Sequence, residues 1–213
     1  MVSLHDLRRD YSGDTLPEDP GRIDPWHLFG HWMQAAIAEG EIEPSAMTLA
    51  TVDPSGRPAS RIVLLKEYSP RGLVFYTGYD SAKGRALTAR PVAAASLWWP
   101  RQMRQVRAVG AVTRLPRAES EAYFAKRPRA SQVGAWASRQ SQPLLSRRQL
   151  LDAMEAAQNR FDGVEVPCPP DWGGFVIDVD TFEFWQGQPG RLHDRVVCLR
   201  DEEGNWRSER LNP

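Results

Sequence analysis

Five stretches that read as β-strands fall between residues 47 and 115, and only one short helix interrupts them. They cover residues 47–53, 59–67, 73–77, 92–99 and 105–115, with turn residues such as Pro54-Ser55-Gly56 between them. Parallel neighbours need a crossover of roughly a dozen residues or more, usually a helix. Connections this short leave little room for one, so the sheet is expected to be largely antiparallel. Three further strands, 175–185, 195–200 and 206–210, end the chain, the last two joined at Gly204-Asn205. The fold class expected is mainly β (α+β).

The helical signals are local. Asp24 is placed to cap a helix that Pro25 opens and Gly40 ends. Leu28, Phe29, Trp32, Met33, Ala36 and Ile37 recur at helical spacing and predict a core-facing stripe. Residues 81–90 read as a short helix stopped by Pro91, and 116–127 as a helix with proline at its start and Pro128 beyond its end. Residues 146–161 are amphipathic through Leu150, Leu151, Met154, Ala157 and Phe161. Residues 1–23 carry Gly13, Pro17, Pro20 and Gly21 among charges and read as a mobile N-terminal arm or lid. No linker or repeat divides residues 24–213, so a single domain is expected there.

Charge and motif content narrow the function. Lys plus Arg (27) equals Asp plus Glu (27), so no global field recruits nucleic acid or an anionic membrane. No apolar run approaches a membrane span, and the first residues lack a signal-type apolar core. Cys168 and Cys198 form no C-x-x-C, which supports neither a disulfide framework nor a zinc ribbon. A cytoplasmic protein is the expectation. His27 and His31 are one helical turn apart but have no third ligand in view, so no metal site is expected. Dinucleotide, Walker and nucleophile-elbow motifs do not occur.

Several constellations carry chemistry. Phe184-Trp185-Gln186-Gly187 is followed by Arg191-Leu192-His193-Asp194-Arg195. If the chain is extended after Gly190, Arg191, His193 and Arg195 project from one face. Two guanidiniums flanking an imidazole suit an anionic ligand that undergoes proton or hydride chemistry; a solvated edge strand with scattered charges reads the same. Ser81-Ala82-Lys83-Gly84-Arg85 opens a helix with two cations, which the macrodipole disfavours unless an anion sits there. Tyr123 and Arg127 share a helix face at i,i+4, and Ser131 follows a short Pro-Arg-Ala connection. The trio suits a phosphomonoester, and a dipole-favoured arginine at an exposed helix end suits it equally. Arg61 and Lys66, five apart, would face opposite sides of a regular strand.

Taken together, these segments resemble the pyridoxine (pyridoxamine) 5′-phosphate oxidase family. The motifs run in order from Leu7-Arg8-Arg9-Asp10-Tyr11 through Arg61-Ile62-Val63-Leu64-Leu65-Lys66, Tyr76-Thr77 and Arg104-Gln105-Val106. They continue with Tyr123-Phe124, Arg127-Pro128-Arg129, Ser131-Gln132-Val133-Gly134-Ala135-Trp136 and Gln140-Ser141, and end on F-W-Q-G…R-L-H-D-R and Arg210-Leu211-Asn212-Pro213. The resemblance implies an FMN-binding split β-barrel with peripheral helices, working as a homodimer with FMN where the subunits meet. It implies oxidation of pyridoxamine 5′-phosphate, pyridoxine 5′-phosphate or both by dioxygen, giving pyridoxal 5′-phosphate, hydrogen peroxide and, from the amine, ammonia. Implied FMN contacts are Arg61, Ile62, Val63, Leu64, Leu65, Lys66, Tyr76, Thr77, Lys83, Gln105, Gln140, Ser141, Trp185 and Arg195. Lys66, Tyr123, Arg127 and Ser131 would clamp the substrate phosphate, Arg191 and His193 would hold the substrate ring, and Arg8 and Tyr11 would form a lid. The family commonly has arginine where this chain has Ala82, and Arg85 is the candidate to replace it. A phenazine-type FMN oxidase and a non-catalytic flavin- or pyridoxal-phosphate-binding protein are the alternatives. The intact Tyr123, Arg127 and Ser131 set favours the first reading over the phenazine type.

Overall fold

The computed structural model describes residues 10–213, so Arg8 of the expected lid lies outside the described residues. Nine strands hydrogen-bond in the order β2-β1-β5-β6-β7-β4-β3, with β8 paired to β7 and β9 to β8. They are β1 (Ala46–Val52), β2 (Pro58–Leu64), β3 (Glu67–Ser69), β4 (Gly72–Gly78), β5 (Val92–Trp99), β6 (Arg104–Arg114), β7 (Trp172–Gln186), β8 (Asp194–Arg200) and β9 (Trp206–Leu211). The β3–β4, β7–β8 and β8–β9 pairs are antiparallel, as their short connections require, and β4–β7, strands far apart in sequence, are antiparallel too. Five helices accompany them: α1 (Pro25–Ala38), α2 (Ala82–Ala89), α3 (Arg117–Ala125), α4 (Arg129–Ala137) and α5 (Arg147–Arg160). No helix among the described residues is long and apolar enough to cross a membrane.

Contacts divide the chain into two compact units. The first comprises the chain up to Leu49, Ala94–Gly110 and Val179–Pro213. Here Asp24 caps α1, its Oδ1 accepting the Trp26 and His27 N–H groups at 2.9 and 3.0 Å. Phe29, Trp32, Met33 and Ala36 are buried. Trp26 and Trp32 meet Phe182 and Phe184 of β7 edge-on at 4.9 and 5.4 Å. Ile37, expected in the buried stripe, is 60% exposed, because it sits about 90° round the helix from the stripe's centre.

The second unit comprises Ala50–Ala93 and Ala111–Asp178. One apolar cluster joins Phe124, Val133, Ala157, Phe161, Val166 and Trp172. Three expectations change here. The strand predicted over 59–67 ends at Leu64, and β3 restarts at Glu67. The bend between them directs the Lys66 N–H to the Val74 carbonyl at 2.8 Å. Lys66 is therefore off the strand that carries Arg61, and strand parity does not relate the two. The helix predicted over 116–127 ends at Ala125, which leaves Arg127 beyond it. A further helix, α4, begins straight after Pro128 and carries Ser131. Only Val133 of α4 is buried, so it has no apolar stripe to announce it.

Candidate active site

The second unit opens into a cavity of about 1300 Å³. Tyr76, Thr77, Ser81, Arg127, Ser131, Gln140, Ser141 and Trp172 are among its lining residues. Thr77 Oγ1 donates to Gln140 Oε1 at 2.9 Å and accepts from Lys83 Nζ at 3.2 Å. The Gly78 N–H donates to the same Gln140 oxygen at 3.2 Å. Lys83 is 7% exposed and pairs with no carboxylate among the described residues. Burial, then the charge of Arg61, pushes its pKa down. Arg61 is itself partly desolvated, which lowers its pKa, and it donates from Nη1 to Thr51 Oγ1 at 2.8 Å and to the Ala59 carbonyl at 3.1 Å.

Lys83, buried beside a second cation and paired with no carboxylate among the described residues, is costly without an anion. The N-terminus of α2 adds to the same demand, with Ser81 as its cap accepting the Gly84 N–H at 3.2 Å. Arg85 turns back toward that end, and its Nη1 donates to the Asp80 carbonyl. The group expected there on sequence grounds, an FMN phosphate, fits this donor set.

Another cation, Arg127, borders the cavity. The Arg127 side chain donates to no acceptor among the described residues, and its Nη1 is buried without a hydrogen-bond partner. Its guanidinium carbon lies 4.6 Å from the Trp172 ring centroid and 5.4 Å from that of Phe124. Burial lowers its pKa, against opposing contributions from Tyr123 and Cys168. Tyr76 and Tyr123 stack at 3.8 Å and 10°, and Tyr76 and Trp172 at 5.6 Å and 12°. Burial, with help from Glu67, pushes the Tyr76 phenol up to about 12. Tyr123 thus stands against Tyr76, and the cavity lining includes neither Tyr123 nor Lys66. Ile62, Val63, Leu64 and Leu65 follow Arg61; Ile62 is exposed and Leu65 is buried.

The first unit holds a separate aromatic cluster. Trp185 lies 4.6 Å from His193, and Tyr11 meets the two edge-on at 5.8 and 5.4 Å. The Gln188 N–H donates to His193 Nδ1 at 3.1 Å, and burial followed by the Arg191 charge lowers the imidazole pKa. The common strand face expected for Arg191, His193 and Arg195 does not form. Pro189–Arg191 makes a tight turn instead, with φ of 62° at Gly190 and 63° at Arg191, and β8 begins only at Asp194. Arg195 is committed to Glu183 at 2.9 Å and to the Asn212 carbonyl at 2.9 Å. Gln105 lies half-buried on β6.

Beneath this cluster is a buried network built on Gln186 and Arg104, two motif residues to which the resemblance gives no role. Gln186, 1% exposed, accepts from Arg104 Nε at 2.7 Å and donates to the Gln102 carbonyl at 2.9 Å. Arg104 reaches Asp14 at 3.0 Å and lies over Trp32 at 4.7 Å. The chain from Tyr11 to Leu16 is fastened nearby. Ser12 N–H meets Met103 Sδ at 3.3 Å, Gln188 Nε2 meets the Asp14 carbonyl at 2.7 Å, and Leu16 N–H meets Asp194 at 3.2 Å. Gly13 packs so tightly that an added Cβ would lie 2.1 Å from Gln186 Nε2 and 2.9 Å from the Gly187 carbonyl oxygen. Trp172 is the other unforeseen site residue. Its place beside Arg127 becomes visible only once β7 starts at Trp172 rather than Phe175.

A solved structure from Nostoc punctiforme, described as a pyridoxamine 5′-phosphate oxidase-related, FMN binding protein, superposes with a TM-score of 0.73. It is 20% identical and covers 90% of this chain and 99% of its own. PhzG from Burkholderia lata, solved with tetrahydrophenazine-1-carboxylic acid, gives a TM-score of 0.88 at 29% identity, covering 95% of this chain and all of its own. The fold is therefore the mainly antiparallel split barrel of such flavoproteins. Residues 33–161 match the family model for pyridoxamine 5′-phosphate oxidase, and residues 172–213 match that for the pyridoxine 5′-phosphate oxidase C-terminal dimerisation region. Curated relatives called pyridoxine/pyridoxamine 5′-phosphate oxidase are 45% identical in Microcystis aeruginosa and 48% identical in Bordetella petrii. Each alignment covers 100% of this chain, with 99% and 100% of the relatives. The chain belongs to the pyridoxamine 5′-phosphate oxidase family.

Proposed function

We propose that this chain is an FMN-dependent oxidase that converts pyridoxamine 5′-phosphate, pyridoxine 5′-phosphate or both to pyridoxal 5′-phosphate. The observation that carries the reading is Arg127, a half-buried guanidinium with all its donors unspent at the edge of a cavity. Such a group matches a phosphomonoester, which takes paired charge-assisted hydrogen bonds. Arg127 and Ser131 bind the substrate 5′-phosphate, with Tyr123 and Lys66 completing the clamp. Lys83, Arg61, Thr77 and Ser81 hold the FMN phosphate. Tyr76, Gln140, Ser141, Gln105, Trp185 and Arg195 are further FMN contacts. FMN, when bound, supplies the two-electron acceptor, and dioxygen takes those electrons on as hydrogen peroxide.

The remaining residues orient the substrate and shield it. His193 is neutral near pH 7, and its Nδ1 is occupied as an acceptor, so Nε2 carries the ring proton. It presents that N–H to the substrate ring, and Arg191 presents its charge. Tyr11 covers the imidazole and keeps water from the ring. Holding the reacting carbon in one orientation is the main contribution the side chains make. The chain acts as a homodimer with FMN contacts from both copies, a reading supported by the match of residues 172–213 to a dimerisation region. The phenazine-type alternative is less well supported, at 29% identity against 45% and 48%.

The test is turnover. Purified protein, FMN and pyridoxamine 5′-phosphate in air should produce aldehyde, peroxide and ammonia. Arg127→Ala should raise KM about ten- to a hundredfold, for a charged hydrogen bond worth roughly 1.5–3 kcal/mol. Equal efficiency on substrates with and without the phosphate would sink the assignment.

A further inference from the structure

A carboxylate that braces an arginine takes up part of its guanidinium fork. Arg127 has no such brace among the described residues. It lies beyond the end of α3, where its own N–H bonds back to the Phe124 carbonyl at 3.1 Å. What borders its side chain is aromatic: Trp172 at 4.6 Å and Phe124 at 5.4 Å. The Trp172 ring is fixed in turn. It stacks with Tyr76 at 12° and Tyr123 at 5°, and meets Phe124 at 5.1 Å and 72°. Its backbone is pinned as the first residue of β7, paired in register with Gly78, and its carbonyl accepts from Arg117 Nη1 at 3.1 Å.

We propose that Trp172 is the positioning residue for Arg127, holding the guanidinium through its ring face so that the hydrogen-bond donors stay free for the substrate phosphate. This rests on the phosphate role proposed above for Arg127. A π face attracts a cation but consumes no N–H donor. A carboxylate in the same position would attract the cation more strongly and would also compete with the phosphate for the fork. An aromatic brace therefore keeps the arginine charged, oriented and available, at the cost of weaker support in the absence of ligand. Stacking of the three near-parallel rings holds Trp172 in place beside the guanidinium.

Steady-state kinetics on the FMN-loaded enzyme test this with Trp172→Leu, Trp172→Phe, Arg127→Ala and the Leu/Ala double variant. Dissociation constants for pyridoxal 5′-phosphate, followed by its absorbance, are measured on the same proteins. Trp172→Leu should raise KM and the pyridoxal 5′-phosphate dissociation constant about tenfold, with kcat within about twofold. Trp172→Phe keeps a smaller and less strongly attracting ring and should recover most of the loss but leave a KM rise of about threefold. In the Arg127→Ala background, Trp172→Leu should add less than about twofold, because the residue it acts through is gone. An equal effect in both backgrounds, or a fall in kcat with unchanged KM, would make Trp172 a structural wedge and overturn the proposal. If Trp172→Leu does not fold, Trp172→Phe carries the test: a KM rise of about threefold that vanishes with Arg127→Ala supports it, and no rise overturns it. The Arg127→Ala arm keeps the two readings apart. No effect there removes the phosphate role and the brace together, whereas a large effect with no Trp172 coupling removes the brace alone. If turnover is absent, the binding constants make the same comparison.

Discussion

The Gln188 N–H donates to His193 Nδ1 at 3.1 Å, which fixes the imidazole as an acceptor on one side and a donor on the other. Protonation would end that contact and add a second cation beside Arg191. Burial and Arg191 both lower the pKa of the ring below its ordinary 6.5. The neutral form is therefore retained down to lower pH than for a free histidine. Turnover efficiency should fall on the acid side with a midpoint below 6.5, and Arg191→Ala should move that midpoint upward. A pH profile of kcat/KM for both proteins decides it; a downward move would mean that Arg191 does not act on the ring.

Lys83 is the buried cation beside Arg61, and Lys83→Met should separate folding from cofactor binding. Without FMN the variant escapes the desolvation penalty and should melt at a higher temperature than the parent apoprotein. With FMN it should bind about ten- to a hundredfold more weakly, through loss of a charged donor. A pH effect follows from the lowered folded pKa. Unfolded chain holds the Lys83 proton to higher pH than folded chain does. Apoprotein stability should therefore gain from Lys83 as pH rises from its lowered pKa toward 10.5, and Lys83→Met should lose that gain. Thermal melts across pH and flavin fluorescence titrations measure both halves.

Ala82 stands where a third cation is expected, and Arg85 leans back to the Asp80 carbonyl at the same helix end. Arg85→Ala should weaken FMN binding by roughly 1–2 kcal/mol, and Ala82→Arg should strengthen it while making Arg85→Ala less harmful. Flavin titration of the two single variants and the double variant gives the coupling. Unchanged affinity in Arg85→Ala would leave Arg85 as a brace for the Asp80 turn alone.

Phe182 is fully buried and touches four rings, Trp26, Phe29, Phe184 and Trp206, at 4.9 to 5.9 Å. Phe182→Ala should cost about 3–5 kcal/mol of stability, and Phe182→Leu considerably less. Urea unfolding of the three proteins gives the difference. A cost under about 1 kcal/mol for the alanine variant would show that the first unit's core can collapse around the gap.

The sequence was most legible where one local rule decides the outcome. Asp24 and Pro25 mark the start of α1, and short connections make the β3–β4, β7–β8 and β8–β9 pairs antiparallel. It was less legible where two local rules compete. Arg191 follows Gly190 into the left-handed region, which no alternation pattern reveals, so the expected common face of Arg191, His193 and Arg195 gave way to a turn. Pro128 signals the end of one helix, but it also starts the next, and Ser131 is helical as a result. Side-chain commitments lay beyond reach altogether. Nothing in the spacing of Arg195 and Arg127 says that the first is spent on Glu183 while the second keeps every donor.

Gly13 has a consequence of its own. A single methyl at this position would overlap Gln186, whose amide is already engaged at both ends by Arg104 and the Gln102 carbonyl, and would crowd the Gly187 carbonyl oxygen as well. The segment from Tyr11 to Leu16 must then rise, and the Tyr11 ring rises with it. A Gly13→Ala protein would keep every group assigned to FMN or substrate, yet the Trp185 indole would be open to a dissolved quencher such as acrylamide. Unaltered quenching would mean the segment absorbs the methyl elsewhere. One hydrogen atom in place of one carbon thus sets how much solvent the aromatic cluster meets.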